Sequence, residues 1–291
     1  MIDIIATLQG AITLATPLLL AAIGETVSQK SGVVNVGIEG MMLMGAFSAV
    51  LAITILPNLA MGIAVAGLAG GLLALLFAVF AVRLSANQVV VGVVMNLLAL
   101  GITGTLYRAR FGETGTFVKT PILPSLLFGQ NILTWFALIS VPLLWLWLYK
   151  TRSGLAVRAC GEQPIAAEAS GANVLRLRTL CVVFGGVMAG LAGASLSVGT
   201  AGTFIENMTA GRGFIALAIV TSGRWSALGC LIAALVFGGV EQLQFIGQAQ
   251  GWRLPYQLFL ALPYVVTLAL LMLGGKTGQA PAFLGRPYRR A

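Results

Sequence analysis

Long apolar runs, each interrupted by only a few polar positions, dominate this chain of 291 residues. They fall near 8–24, 39–56, 60–82, 88–107, 132–149, 178–199, 225–247 and 255–273. Most reach the roughly 20 residues an α-helix needs to cross a hydrocarbon core. A shorter apolar run, 213–222, either crosses or turns back inside the bilayer. Lipid offers backbone amides no partners, so spanning segments of this length are helices. The pattern predicts an all-α polytopic membrane protein of about eight or nine spans, forming a single transmembrane domain over 1–291. The first run lacks a basic leader and follows Asp3, so it reads as a span and not as a cleaved signal.

Composition sharpens this. The chain is 58% hydrophobic and 9% charged, against about 25% charged in soluble domains. The net charge of +9 would suit nucleic acid, but cations that gather on the untranslocated side explain it better, so no nucleic-acid partner is expected. Setting the basic stretch 150–178 on the cytoplasmic side and alternating at each run, with 213–222 crossing, puts Lys30, Arg83, Lys150, Arg152, Arg158, Arg176, Arg178, Arg224, Lys276, Arg286, Arg289 and Arg290 there. Arg108, Arg110, Lys119, Arg212 and Arg253 fall outside, with the N-terminus, and the C-terminal tail is cytoplasmic. Cys160, Cys181 and Cys230 have no metal-like or paired spacing, and the chain has no His. No phosphate-cradling Gly-rich loop is present, so no cofactor is expected and any ATP would bind another chain.

The stretch 150–178 is the one extended polar segment between apolar runs. Gly161 ends what precedes it, Pro164 suits the first turn of a new helix, and Glu162 sits near the positive end of that helix. Ile165 to Ser170 is Ala-rich and helix-prone, and Gly171 stops it. Ala166, Ala167, Ala169 and Ser170 are small enough to let another protein approach. The order Gly161-Glu162-Gln163-Pro164, Ala166-Ala167, Gly171-Ala172-Asn173-Val174 resembles the coupling segment of ABC-importer permease subunits, in the nucleoside and simple-sugar branch. There the usual wording is Gly-Glu-Asn-Pro, two alanines and Gly-Ile-Asn-Val; Gln163 and Ala172 are mild departures. The resemblance implies that Glu162, Pro164, Ala166, Ala167 and Gly171 dock in a groove of an ABC ATPase subunit. It also implies a second, non-identical permease and an extracytoplasmic solute-binding protein.

Two further stretches carry the same resemblance. Asn35 and Glu39 lie in Gly32-Val-Val-Asn-Val-Gly-Ile-Glu-Gly40, where glycines interrupt the helical pattern as a span begins. That stretch reads either as a capped cytoplasmic turn or as a broken helix end, which must line a cavity or be buried in protein. The second is 199–226, with Gly211-Arg-Gly-Phe-Ile-Ala-Leu-Ala218 and Gly223-Arg-Trp225. Both patterns are similar to the permease family, which favours the inner role; Ala227 replaces the family's Pro in the turn. Gln88, Asn96, Asn207 and Glu241 complete the candidate pathway residues, because polar groups in apolar segments face a bundle interior or water. Ala66-Gly-Leu-Ala-Gly70 recurs as Ala189-Gly-Leu-Ala-Gly193, an internal echo suited to tight helix packing.

Two functions compete. One is a non-catalytic permease subunit of an ATP-driven importer for a nucleoside or simple sugar, with a branched-chain amino-acid permease as its variant. The other is an ion-coupled secondary transporter. Proton coupling wants several intramembrane carboxylates or His; the runs offer Glu39 and Glu241. The sequence therefore favours the first.

Overall fold

A computed structural model describes residues 4–112, 118–250 and 280–288, with positions 265, 266, 268, 269 and 272 in addition. The chain is helical: α1 (Ile4–Lys30), α2 (Ile38–Ile55), α3 (Leu59–Ala78), α4 (Gln88–Phe111), α5 (Ile132–Lys150), α6 (Arg152–Glu162), α7 (Pro164–Ala169), α8 (Val174–Leu196), α9 (Arg212–Ser222) and α10 (Ala227–Ala249). One π turn extends α3 to Arg83 and another extends α8 to Ala201. Seven of the described helices are long and apolar enough to cross a membrane. The expected span over 255–273 lies outside the described residues.

Contacts fix two ends of the bundle. At one end Gln9 and Thr13 of α1 bond the 128–130 turn, Asn131 bonds Gly199, and Thr120 N–H donates to Gly202. At the other end Ser31, Ser85, Gly161, Arg178 and the segment 280–288 come together. Lys30, Arg83, Lys150, Arg152 and Arg286 belong to this second end, called here the basic end. α1 runs toward it and α10 away from it, since Thr26 meets Cys230 while Gly238 packs on Ala11 and Ala15.

α8 lies at the centre, with α1, α2 and α3 around it. Its glycines make this approach possible. A Cβ on Gly190 would strike the Ala66 carbonyl, one on Gly193 the Met42 carbonyl, and one on Gly70 would come within 2.8 Å of the Gly190 Cα. Gly186 faces Gly70 in turn, so α3 and α8 cross antiparallel where the two Ala-Gly-Leu-Ala-Gly copies lie. The echo in the sequence marks that crossing, a small-residue face of the kind that lets backbones touch.

The run 213–222 does not cross on its own. α9 has 11 residues, about 16 Å at 1.5 Å per residue, half of a hydrocarbon core of about 30 Å. It ends at the basic end, where the Trp225 indole N–H reaches Gln29 of α1. The irregular stretch 202–211 covers the other half. α2 shares only the irregular entry: the chain re-enters from the basic end as irregular segment 31–37, and α2, 18 residues long, starts beside Asn96, about 12 Å along α4. Both are loop-then-helix crossings, and they run in opposite directions.

Candidate functional site

Six helices begin on a side chain of their own: Asn58, Asn87, Asn131, Thr151, Asn173 and Ser226 each accept a bond from a first-turn amide. This is the usual remedy for the unpaired amides of a helix start. α2 and α9 begin on Gly37 and Gly211, which have no side chain to offer. They borrow caps from other elements instead. Asn96 Oδ1 of α4 accepts from Gly40 N at 2.8 Å, while its Nδ2 donates to Val36 O at 3.0 Å. Glu39, in the first turn of α2, accepts from Gly211 N at 2.8 Å and Gly213 N at 2.6 Å. One carboxylate thus joins the start of α2 to the start of the short helix α9, at the positive end of the α9 dipole.

The segment 31–37 is pinned on every side. Val34 N donates to Gln88 Oε1 at 2.8 Å, and Asn35 N donates to Glu25 Oε1 at 3.0 Å. The Asn35 side chain is fully buried and turned on its own neighbours: Oδ1 accepts from Gly37 N and Nδ2 donates to the Met41 sulfur. Asn35, Gln88 and Asn96 therefore brace the broken backbone, and Glu39 bridges it. Replacing Asn96 with Leu would leave Gly40 N and Val36 O without that partner. A loss of about 1–3 kcal/mol is expected, read as a lower unfolding midpoint in detergent; an unchanged midpoint would mean the brace is dispensable.

Sequence reading missed the other half of this cluster. Glu25 is fully buried in α1, and its Oε1 also accepts from Gln29 Nε2 at 2.9 Å, while Oε2 is buried and takes no hydrogen bond. Gln29 Oε1 in turn accepts from Trp225 Nε1 at 2.6 Å. That bond holds a turn in which Arg224 and Trp225 both have left-handed backbone, a conformation that costs about 1–3 kcal/mol per residue. Glu25 and Gln29 stand four apart, one helix turn, just where the apolar run ends; that spacing was the signal available.

Glu241 pairs with Arg212, the first residue of α9, at 2.5 Å, with side chains 17% and 23% exposed respectively. Arg212 thus sits beside Glu39's level inside the bundle and not at the far end, because α9 starts there. Asn207 is exposed on the entering loop with left-handed backbone. The same loop carries Glu206, which forms a two-bond pair with Arg108 at 2.9 Å. A separate apolar cavity of about 530 Å³ lies between α1, α5, α6 and α8. Ser140 and Ser153 are the polar residues lining it, among Ile23, Trp147 and Met188.

At the basic end α6 and α7 lie outside the spans. Ile165 is 71% exposed, with Glu162, Ala166, Ala169, Ser170 and Gly171 also at the surface. Pro164 and Ala167 are buried; Ala167 packs with Cys160, Val174 and Tyr288. Of the residues expected to dock, Pro164 and Ala167 are thus covered, while Ile165 projects as an exposed apolar side chain. Burial pushes the Cys160 thiol pKa up, so it stays protonated. The strap 280–288 lies across this corner: Phe283 N donates to Gly161 O at 2.9 Å, Gly285 N to Gly32 O at 3.1 Å, and the Tyr288 hydroxyl to Glu168. Arg178, 2% exposed, sits beneath it.

Spanning helices, a short helix α9 whose start meets that of α2 inside the bundle, and a helix pair displayed at one end are the arrangement of a polytopic membrane protein. The chain belongs to the family described as branched-chain amino acid transport system, permease component, which matches residues 7–273. Its relatives are informative about the branch. It is 36% identical to a guanosine ABC transporter permease protein of Bacillus subtilis, over 94% of this chain and 93% of that one. A putative glucose ABC transporter permease protein of Haloferax volcanii is 34% identical over 83% and 78%. A nucleoside ABC transporter permease protein of Lactococcus lactis is 33% identical over 94% and 93%. Bacillus subtilis also supplies a second guanosine permease protein, 26% identical over 78% of this chain and 70% of that one. No solved structure matches.

Proposed function

We propose that this chain forms half of the translocation pathway of an ATP-driven importer for a nucleoside or a simple sugar. The relatives named for guanosine, nucleosides and glucose support that substrate class. The basic end then faces the cytoplasm, in keeping with its cations, and α6–α7 docks in a separate ATPase subunit. A solute-binding protein delivers at the far end. A second, non-identical permease completes the pathway, a reading supported by the two guanosine permease proteins of Bacillus subtilis. The apolar cavity offers too few hydrogen-bond partners for a sugar or a base, so the pathway runs elsewhere, past the meeting point of α2 and α9. There Glu39 is satisfied by two backbone amides and Arg212 by Glu241, which suits passage of an uncharged solute.

The observation that carries this reading is α7, a two-turn helix at the basic end with Ile165, Ala166 and Ala169 exposed. Ala169→Trp adds bulk to that face without touching the core, so folding should change by no more than about 0.5 kcal/mol. ATPase retained on purification and guanosine uptake should both fall, by about tenfold or more, since about 1.4 kcal/mol lost at the interface is a factor of ten. Normal retention and uptake with Trp at 169 would remove α7 as the dock. Ala167→Trp is the contrast: it collides with Cys160, Val174 and Tyr288 and should unfold the corner itself.

A further inference from the structure

We propose that the strap 280–288, clamped by Arg178, is the tie through which the docking helices pull on the re-entrant segment 31–37. The proposal rests on α6–α7 being the ATPase dock. The strap bonds both parties. On the docking side, Phe283 N donates to Gly161 O at 2.9 Å, Ala282 N to Glu162 Oε2 at 3.2 Å, and the Tyr288 hydroxyl to Glu168 of α7. On the membrane side, Gly285 N donates to Gly32 O at 3.1 Å, and Ser85 Oγ, in the turn between α3 and α4, donates to Tyr288 O at 3.4 Å.

Arg178 fastens the layers together. Its Nε donates to Ser31 O at 3.0 Å, Nη2 to Cys160 O at 3.2 Å and Nη1 to Arg286 O at 3.2 Å, with the Tyr288 ring 5.8 Å from Cζ. No carboxylate pairs with this guanidinium among the described residues. A buried cation without a counter-ion is costly. Its compensation is electrostatic and structural at once: Ser31 follows the last residue of α1, and Cys160 lies in the last turn of α6. Both carbonyls belong to the negative ends of helix dipoles. Arg178 therefore joins the end of a spanning helix to the end of a docking helix, and Arg286 ties the strap to that joint.

The direction of force gives the strap a role that packing cannot fill. α6 also leans on α1, with Gly161 against the Lys30 carbonyl. A close contact of that kind resists compression but does not hold when parts separate. The strap's hydrogen bonds hold under tension. Movement of Ser31 and Gly32 is passed on, because Val34 and Asn35 are bonded to Gln88 and Glu25, and Glu39 further along holds the start of α9. A pull at the dock thus reaches the point where α2 and α9 start.

The test compares the assembled complex carrying Tyr288→Phe or Arg178→Lys with the unmodified complex. Tyr288→Phe removes only the hydroxyl on Glu168; Arg178→Lys keeps the charge and loses the three-way fork. Tritiated guanosine taken up per ATP hydrolysed in proteoliposomes is the readout, with ATPase retention as the structural control. Retention should be unchanged and uptake per ATP should fall at least about fivefold for Arg178→Lys, the lower range of measured couplings between sites, with a smaller fall for Tyr288→Phe. An unchanged ratio in both variants, with the ATPase retained, would make the strap a passive cover. Loss of the ATPase from both would make it part of the dock, which also overturns the proposal. Failure of the unmodified chain to retain an ATPase at all would instead refute the docking reading.

Discussion

Glu39→Gln is expected to reduce uptake per assembled complex by about 100-fold. The carboxylate accepts two amide bonds, from Gly211 and Gly213, at 2.8 and 2.6 Å. Bonds to a charged group are worth about 1.5–3 kcal/mol each. A Gln can accept one of them, but its NH₂ then faces the other amide, donor against donor, at the start of a helix with no cap of its own. A loss near 3 kcal/mol at that joint corresponds to about two powers of ten. Glu39→Asp keeps the charge but is one methylene shorter, so it should retain one bond and an intermediate rate. Uptake normalised to the complex recovered would separate this from poor expression. Normal uptake by the Gln variant would show that the starts of α2 and α9 need not be joined.

Gly190→Leu should prevent the protein from accumulating in a folded form. The crossing of α3 and α8 leaves no room for even a Cβ, since it would strike the Ala66 carbonyl and lie 3.2 Å from the Gly67 Cα. These are backbone atoms, which cannot swing aside as a side chain can. Overpacking of a tight interior costs about 1–3 kcal/mol or more, and here two spans must separate. Gly101→Leu is the control: nothing lies within 4 Å of its Cβ position, so the same substitution on α4 should leave folding intact. Monodisperse recovery in detergent reads both. Equal recovery of Gly190→Leu and the unmodified chain would contradict the close crossing.

Hydropathy located the helices well because length and apolarity are what a bilayer demands. The runs 88–107 and 132–149 begin on the residues where α4 and α5 begin. It placed α1 too short, stopping at Gly24, because Glu25 and Gln29 look like loop residues. Their partners, Asn35 N and Trp225 Nε1, come from elsewhere in the fold, and no local pattern announces them. The same limit governed Arg178. In sequence it is the last of five cations in a polar stretch; in the fold it is the buried one, surrounded by carbonyls from three segments. Asn35 and Gln88 are buried and Asn96 half-buried, and apart from Asn35 to the Met41 sulfur their bonds run to backbone, a distinction set by register between helices. Ala167, expected on an open face of α7, is buried because Tyr288 covers it from the distant strap.

That strap also has a timetable. Ser85 and Tyr288 are 203 residues apart, and at about 5–20 residues per second of synthesis their bond must wait on the order of 10–40 s. By then every described span has been made. Until that moment Arg286 has not reached Arg178, and Glu168 lacks the Tyr288 hydroxyl. A nascent chain, or one broken before the strap, displays α7 on an unfinished footing. On the proposal above, transmission of force, as distinct from docking, is thereby reserved for chains whose synthesis has passed residue 288, a form of proofreading built into the order in which the parts are made.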